Sequence, residues 1–593
     1  MTGHLLAINI GPVQDFIAAA RRTRDLWFGS HMLSEVSKAA ALAIQEIAGM
    51  DALIFPAPDN ETDLQPTPDG ADSKLLVANV ILALIPQGID PCEAAAQAKC
   101  AAGARWREFA EDARRQVADL VRGDIWNDQL DDVIEFYSAW VPFPLGGDYA
   151  RARARVMRLL SARKSCRDFQ QPRLSAEMRR VPKSSLDGAR ETVLKKGVEG
   201  SARLRLSKGE QLDAIGLAKR LAAGVQSYPS VARIAADPWL RRLADLPKQQ
   251  LAAECEKLAP GILSRVQDPV YSDFPYEGTA VYIDRHASIA VEAGVERARL
   301  SELTRIVGDL TKSRVKDGFG KPDPYLAVVV ADGDRIGAIL SRLRTPDEHR
   351  VLSRQLSKFA AAARSIVKDL RGVCIYAGGD DVLAFLPLDQ CLKCARTLRD
   401  RFEELLGPVS GGPPNISVGI AIAHFMEPLE DLRAYARGAE LAAKRATSRA
   451  PGNEHFGGRN GLAVHVHPRG GVFFGVRERW QEGDSSLERR LDRWAGLFQT
   501  RRLPQKLPYD VRELASTYKS WSSKDTLSNA LQADCARLLS HKQVWKAEQE
   551  LLLAQLRAAT DAEGLLRFSA ELLVAQNLAE PNLESARMEE GTR

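Results

Sequence analysis

The sequence predicts an α+β protein whose recurring unit is strand, helix, hairpin, helix, strand, the ferredoxin-like plan. Three observations carry that expectation. Residues 373–386, VCIYAGGDDVLAFL, are two apolar runs on either side of Gly378-Gly379-Asp380-Asp381, which reads as a β-hairpin. An apolar run over 326–331 ends in Asp332-Gly333-Asp334, and residues 346–370 between the two carry Leu352, Leu356, Phe359, Ala363 and Val367 at helical spacing. The opening LLAINI, residues 5–10, starts a second set of the same pattern.

Taken in order, residues 5–10 form a strand, Gly11-Pro12 turns the chain, and a long amphipathic helix begins near Val13. Strands at 52–55 and 75–85 and helices over 91–122 and 124–139 complete a first domain, 1–140. Residues 141–320 form a basic, mainly helical connecting domain, and the Gly- and Pro-containing stretch 309–324 is a linker. The second domain, 321–475, adds to the strand, helix and hairpin a helix over 388–406, a strand over 416–425, a helix over 428–447 and a strand over 461–467. The crossover rule places the Asp332 strand beside the hairpin, and residues 467–474 turn the chain out of the sheet. Leu487, Leu491, Trp494 and Leu497, then Leu531, Leu538 and Leu539, predict a C-terminal helical bundle over 476–593 with a loose tail from Glu580.

The chemistry sits at the hairpin. Adjacent carboxylates at a tight turn repel one another unless a divalent cation lies among them, and oxygen-rich sites select Mg²⁺ or Mn²⁺. Asp332, Asp380 and Asp381 are therefore the candidate metal ligands, with Asp380 and Asp381 pointing to opposite faces if strand alternation holds. Alternation also turns Asp334 away from Asp332 unless the turn begins there. Gly378 and Gly379 let a base or ribose lie against the hairpin, and the backbone from Gly333 to Gly337 can donate to phosphates. The arrangement is a nucleoside-triphosphate site in outline.

The Asp332 strand, the GGDD hairpin, Lys444 on a late helix and Gly458-Arg459-Asn460 resemble the palm shared by GGDEF-type nucleotidyl cyclases and polymerases. Together with INIGPVQDFIAAARRTRDLWFGSHMLSE near the start, the chain resembles the large subunit of type III CRISPR effector complexes of the Cmr type. The resemblance implies two palm domains, the first without a GGDD. It implies catalytic roles for Asp332, Asp380 and Asp381 around two divalent ions, ATP as substrate, and Lys444 neutralising the triphosphate. The activity implied is cyclic oligoadenylate synthesis, switched on when guide RNA pairs with target RNA in a complex with other subunits. Asn9 stands where an active palm places its carboxylate, so the first palm, with Asn9 and Gly11, is expected to bind nucleotide without metal. Two alternatives stay open: adenylyl transfer from ATP to S-adenosylmethionine, and a catalytically silent scaffold.

The same resemblance sets negative expectations. No His-Asp dipeptide occurs among the nine histidines, so an HD-type DNase is not expected. At the places of the family's zinc-ribbon cysteines stand Ser184, Asp187, Asp213 and Gly216, so zinc is not expected and packing or polar contacts should hold that knuckle. Cys391 and Cys394 read as a structural pair of buried thiols, and His465 and His467 as ordinary polar residues at a strand end.

Composition fits this class. A chain of 593 residues with 45% hydrophobic and 27% charged residues has room for several globular domains. No run of 18 apolar residues and no basic leader occur, so neither a membrane span nor a signal peptide is expected, and eight scattered cysteines suit a reducing cytoplasm. The net charge of +5 is uneven: residues 151–220 hold 19 Lys and Arg against 7 Asp and Glu, a net of +12 that leaves the remainder at −7. That segment reads either as a phosphate-backbone footprint or as a solvated helix surface.

Overall fold

The computed structural model describes residues 2–67, 75–131, 133–144, 146–166, 180–198, 204, 206–207, 209–221, 228–259, 261–312, 320–407, 414–445, 459–483, 485–519, 524–541, 546–558 and 561–579. β1 (Thr2–Gly11), β2 (Leu53–Phe55), β3 (Val80–Ile85) and β4 (Glu135–Pro144) make a first sheet in the order β2-β3-β1-β4, each neighbouring pair antiparallel. Helices α1 (Gln14–Ala18), α2 (Thr23–Ala48), α3 (Pro91–Val117) and α4 (Gly123–Leu130) accompany it. Three expectations change here. The helix from Val13 is split in two, because the ammonium of Lys219, far along the chain, takes the carbonyls of Phe16 and Ala19 at the break. The strand expected over 75–85 begins only at Val80. The helix expected over 124–139 stops at Leu130, and its end becomes part of β4, which runs across residue 140. Phe136, Tyr137, Trp140 and Val141 suit a strand, and the edge position accommodates Pro142 and Pro144.

α5 (Tyr149–Ser165) covers the outer face of this sheet, burying Tyr149, Val156 and Leu160 against Leu5, Ala7 and Val141. The connecting region continues through α6 (Ala214–Leu221), α7 (Val231–Arg242), α8 (Asp245–Leu258), α9 (Ile283–Ala293) and α10 (Ser301–Thr311). Its knuckle is held locally. Asp187 accepts from the Ala189 amide at 2.9 Å, Asp213 accepts from the Gly216 amide at 2.6 Å, and Leu186 packs where a Gly216 side chain would stand. Arg220 sits buried between Asp25, at 2.6 Å, and Glu210, at 3.0 Å, tying α6 to α2. Of the expected linker, residues 313–319 lie outside the described residues.

A second sheet follows, made of β5 (Tyr325–Gly333), β6 (Val373–Gly378), β7 (Asp381–Leu386), β8 (Ile416–His424), β9 (Gly461–His467) and β10 (Phe474–Arg479) in the order β10-β9-β8-β5-β7-β6. Its helices are α11 (Ile336–Arg342), α12 (Pro346–Asp369), α13 (Cys391–Leu406) and α14 (Leu429–Ala443). A capping box of Thr345 and Glu348, with Pro346 at the first helical position, fixes where α12 starts. The crossover through α12 steps over one position, so β7, antiparallel to β5, lies between β5 and β6. The strand order β8-β5-β7-β6 repeats β4-β1-β3-β2 of the first sheet. Residues 467–474 do not take the chain out of the sheet: β10 returns antiparallel to β9. One face of β5 and β7, with Val328, Val330, Leu383 and Phe385, shares a core with β1 and α2, while Ala327, Val329 and Ala331 pack under α12 and α13.

The C-terminal helices α15 (Leu487–Gln499), α16 (Leu507–Tyr518), α17 (Lys524–His541), α18 (Lys546–Ala558) and α19 (Ala562–Leu578) extend the second core. Arg490 binds Glu478 of β10 at 2.6 Å and Glu571 of α19 at 2.9 Å, and Trp494 donates to Glu571 at 3.0 Å. The tail expected to be loose lies outside the described residues. Among the described residues no helix is long and apolar enough to cross a membrane.

Candidate active site between the two sheets

β5 is buried from Leu326 to Ala331 and delivers Asp332 at its end. Its register pairs Asp332 with Asp381, the first residue of β7, and with Ser417 on β8. The Gly333 amide donates to the Asp380 carbonyl at 3.2 Å, which fastens the hairpin turn to the end of β5. This contact requires glycine. A Cβ on Gly333 would lie 2.7 Å from the Asp380 Cβ and 2.9 Å from Ile336 and Phe402. Gly379, with φ 71°, makes the turn, and its surface is open.

Directly paired residues on neighbouring strands share a face, so Asp332 and Asp381 form a cross-strand pair. Asp380 leaves the turn on the Gly333 side. Among the described residues no three His, Cys, Asp or Glu side chains converge as a ready metal cluster. The donor set nevertheless fits a divalent cation. Burial, and then the charge of Asp332, raise the Asp380 carboxyl to about 7 and that of Asp381 to about 6. Anions this uncompensated call for a cation.

Lys444, which caps α14, supplies one. Its ammonium bridges Asp332 and Glu440, the latter at 2.5 Å. Burial works against that charge, but the hydrogen bonds to Asp332 and Glu440 outweigh it and the pKa rises. Glu440 is fully buried and also lies 3.2 Å from Arg437. Gly419 on β8 lets α14 approach this closely, since a Cβ there would come within 2.5 Å of the Ala439 carbonyl carbon.

Three expected nucleotide contacts are taken up by the fold itself. Asp334 is buried, accepts from Ser417 Oγ at 2.9 Å and from the Asn460 amide at 2.7 Å, and its own amide donates to the Asn415 carbonyl at 2.8 Å. Of the expected phosphate cradle the Gly333 amide is engaged with Asp380 and the Asp334 amide with Asn415, while Gly337, in the first turn of α11, faces open space. The Tyr376 ring covers Gly378, with Cε2 2.8 Å from where a Cβ would stand, so the tyrosine itself presents the surface expected of the glycine. Gly458 lies outside the described residues.

Asp381 opens into a cavity of about 690 Å³ between the two sheets, lined also by Asn9, Gly11, Tyr376, Arg433 and Arg437. Its size falls within the range of small-molecule sites. Asn9 is buried and donates to the Asn79 carbonyl at 3.3 Å. Asn9 pairs with Val80, so where the second sheet sets Asp332 against Asp381, the first sets an amide against a valine. Gly11 pairs with Glu135. Arg433, Arg437 and Glu440 were not singled out from the sequence. Their spacing from Lys444 places all four charges along one side of α14, which is the signal that could have found them. Burial pushes the Arg433 guanidinium pKa down despite Glu430 and Asp15, so a bound anion would favour its charged form. Cys391 and Cys394 are buried free thiols, as expected. His467 is stacked on Tyr435 with centroids 3.9 Å apart.

Comparison with known proteins bears on this geometry. Residues 325–451 match the family described as Cas10/Cmr2, second palm domain, and residues 5–111 the N-terminal region of CRISPR-associated protein Cmr2. The CRISPR system Cmr subunit Cmr2 of Pyrococcus furiosus is 29% identical over 259 residues, which is 38% of this chain and 28% of that relative, so the match spans under a third of the relative's length. Among solved structures, the type III-B Cmr-beta complex in its apo state contains a chain similar at TM-score 0.64 and 14% identity, covering 92% of this chain and 78% of the other. The same complex bound to cognate target RNA gives TM-score 0.62 at 15% identity, over 88% and 77%. At such identities the likeness is one of fold.

Proposed function

Since the chain belongs to the Cas10/Cmr2 family of type III CRISPR large subunits, we propose that it joins ATP molecules through 3′-5′ bonds into cyclic oligoadenylate, releasing pyrophosphate. The observation that carries this reading is that Asp381, the strand partner of Asp332, lines a cavity shared by two like sheets together with Arg433 and Arg437. In this proposal Asp332, Asp380 and Asp381 hold magnesium or manganese, which supplies polarisation of the attacking hydroxyl and neutralisation at the α-phosphate. Lys444 exchanges its contact with Asp332 for one with the triphosphate, and Arg433 and Arg437 bind phosphate oxygens as planar forks. Asn9 and Gly11 border the second nucleotide, so the cavity holds one ATP as hydroxyl donor and one as acceptor of attack.

The proposal extends to assembly. The chain acts as a subunit of an RNA-guided complex, in which guide pairing with target RNA triggers synthesis, and the C-terminal bundle docks a neighbouring subunit. The domain limits proposed for it are those stated from the sequence, with the first extended to the end of β4. The test is chromatography of products from the assembled complex supplied with target RNA, Mg²⁺ or Mn²⁺ and ATP, with and without S-adenosylmethionine. Cyclic oligoadenylate in both arms, lost in Asp380→Ala/Asp381→Ala, is the expected result. A product that needs S-adenosylmethionine, or products unchanged in the double variant, overturns it.

A further inference from the structure

The outward side of α5 carries an arginine row that the nucleotide site does not use. The helix buries Tyr149, Val156 and Leu160 on the first sheet, and its 3.6-residue period places Arg151, Arg155 and Arg158 in a line on the opposite side, all exposed. Met157, 38% exposed, and Leu159, 43% exposed, flank the row. Among the described residues none of the three guanidinium groups pairs with a carboxylate; the N-cap Asp148 accepts from the Arg151 backbone amide at 3.0 Å. Several arginines on other helix surfaces do pair with carboxylates: Arg115 with Asp112, Arg305 with Asp309 and Glu302, and Arg401 with Glu404.

We propose that this row binds the sugar-phosphate backbone of single-stranded nucleic acid without reading its sequence. Helix stability does not account for it. Like charges at i, i+4 and i, i+3 repel, and Arg151 sits in the first turn, where the helix dipole disfavours a cation and the one nearby acid, the N-cap Asp148, is engaged with the backbone. Cations three and four residues apart stand about 5–6 Å from one another, and long guanidinium arms at that spacing reach successive phosphates of a strand laid along a convex helix. The apolar flanks give unstacked bases a surface to rest on. The row also belongs to the segment 151–220, of net charge +12 in a chain that is otherwise net negative.

The experiment measures fluorescence anisotropy of labelled single-stranded RNA and DNA 20-mers with the full chain across a potassium chloride series. Arg151→Gln/Arg155→Gln/Arg158→Gln is expected to lower the slope of log affinity against log salt by about 2, three contacts at about 0.7 each, on both probes. The triple lysine replacement at the same positions keeps the wild-type slope, and Arg305→Gln, which removes a paired arginine, leaves it unchanged. The glutamine variant should melt at or above the wild-type temperature, because it removes repulsion. A glutamine variant with the wild-type slope overturns the proposal. So does a full chain that ignores both probes in dilute salt, or one that binds polyglutamate as well as it binds RNA, which would place an acidic protein on this face.

Discussion

Asp380→Asn is expected to stabilise the metal-free chain at alkaline pH while abolishing the nucleotide product. Burial and the neighbouring Asp332 raise the folded-state carboxyl from an ordinary value of 3.8 to about 7. An acid whose pKa is raised by folding contributes its full stability below about pH 4, and that stability is lost as pH climbs through about 7. About three units at roughly 1.4 kcal/mol each sets a ceiling near 4 kcal/mol. The side chain is half-buried and shares the repulsion with Asp381, so about 2 kcal/mol is the fair expectation. Asparagine keeps the shape and removes the charge. In EDTA at pH 8 the variant should melt about 4–8 °C above wild type for a domain of this size. At pH 5 the gain should shrink to less than half, because the wild-type carboxyl is then protonated in the folded chain. Saturating Mg²⁺ at pH 8 should raise the wild type and leave the variant behind. A variant that melts below wild type at pH 8, or by the same margin at both pH values, would show that these carboxylates are not in conflict.

The other expectations concern how the fold holds the carboxylates. Gly333→Ala forces a methyl against Asp380, Ile336 and Phe402, which should cost about 1–3 kcal/mol in melting experiments. It should lower product formation about 100-fold by pushing the turn off β5, and wild-type product levels from a destabilised variant would break that link. Glu440→Gln removes the buried charge that shares Lys444 with Asp332, so the ammonium pairs with Asp332 more tightly and competes with metal. The Mn²⁺ concentration for half-maximal synthesis should rise several-fold, and an unchanged requirement would free Glu440 of any role in placing Lys444.

The parts of the fold that were legible are those whose cause is local. The hairpin and β5 follow from apolar runs cut by glycine, and α12 from a periodic face with its own capping box. The Asp332–Asp381 pair was legible for the same reason, since each acid stands where its run meets the turn. What stayed hidden depends on distant residues. β4 exists because β1 offers it an edge, and the break between α1 and α2 because Lys219 claims two carbonyls there. The glycine of the hairpin was visible, but not that Tyr376 folds back over it.

Asn9 shows how far a single position carries. Read alone, it argues only that one metal ligand is missing. In the structure its strand partner is Val80, so the first sheet lacks both members of the pair that the second sheet supplies. Two sheets of the same strand order thus face one cavity with unlike chemistry at the matching strand positions, a pair of carboxylates in the second sheet and an amide beside a valine in the first. A nucleotide lying against Asp332 and Asp381 meets a strong field, and one lying against Asn9 does not. On the proposed reading that inequality assigns the roles, because a symmetric pair of sites would give neither ATP a reason to be the one attacked.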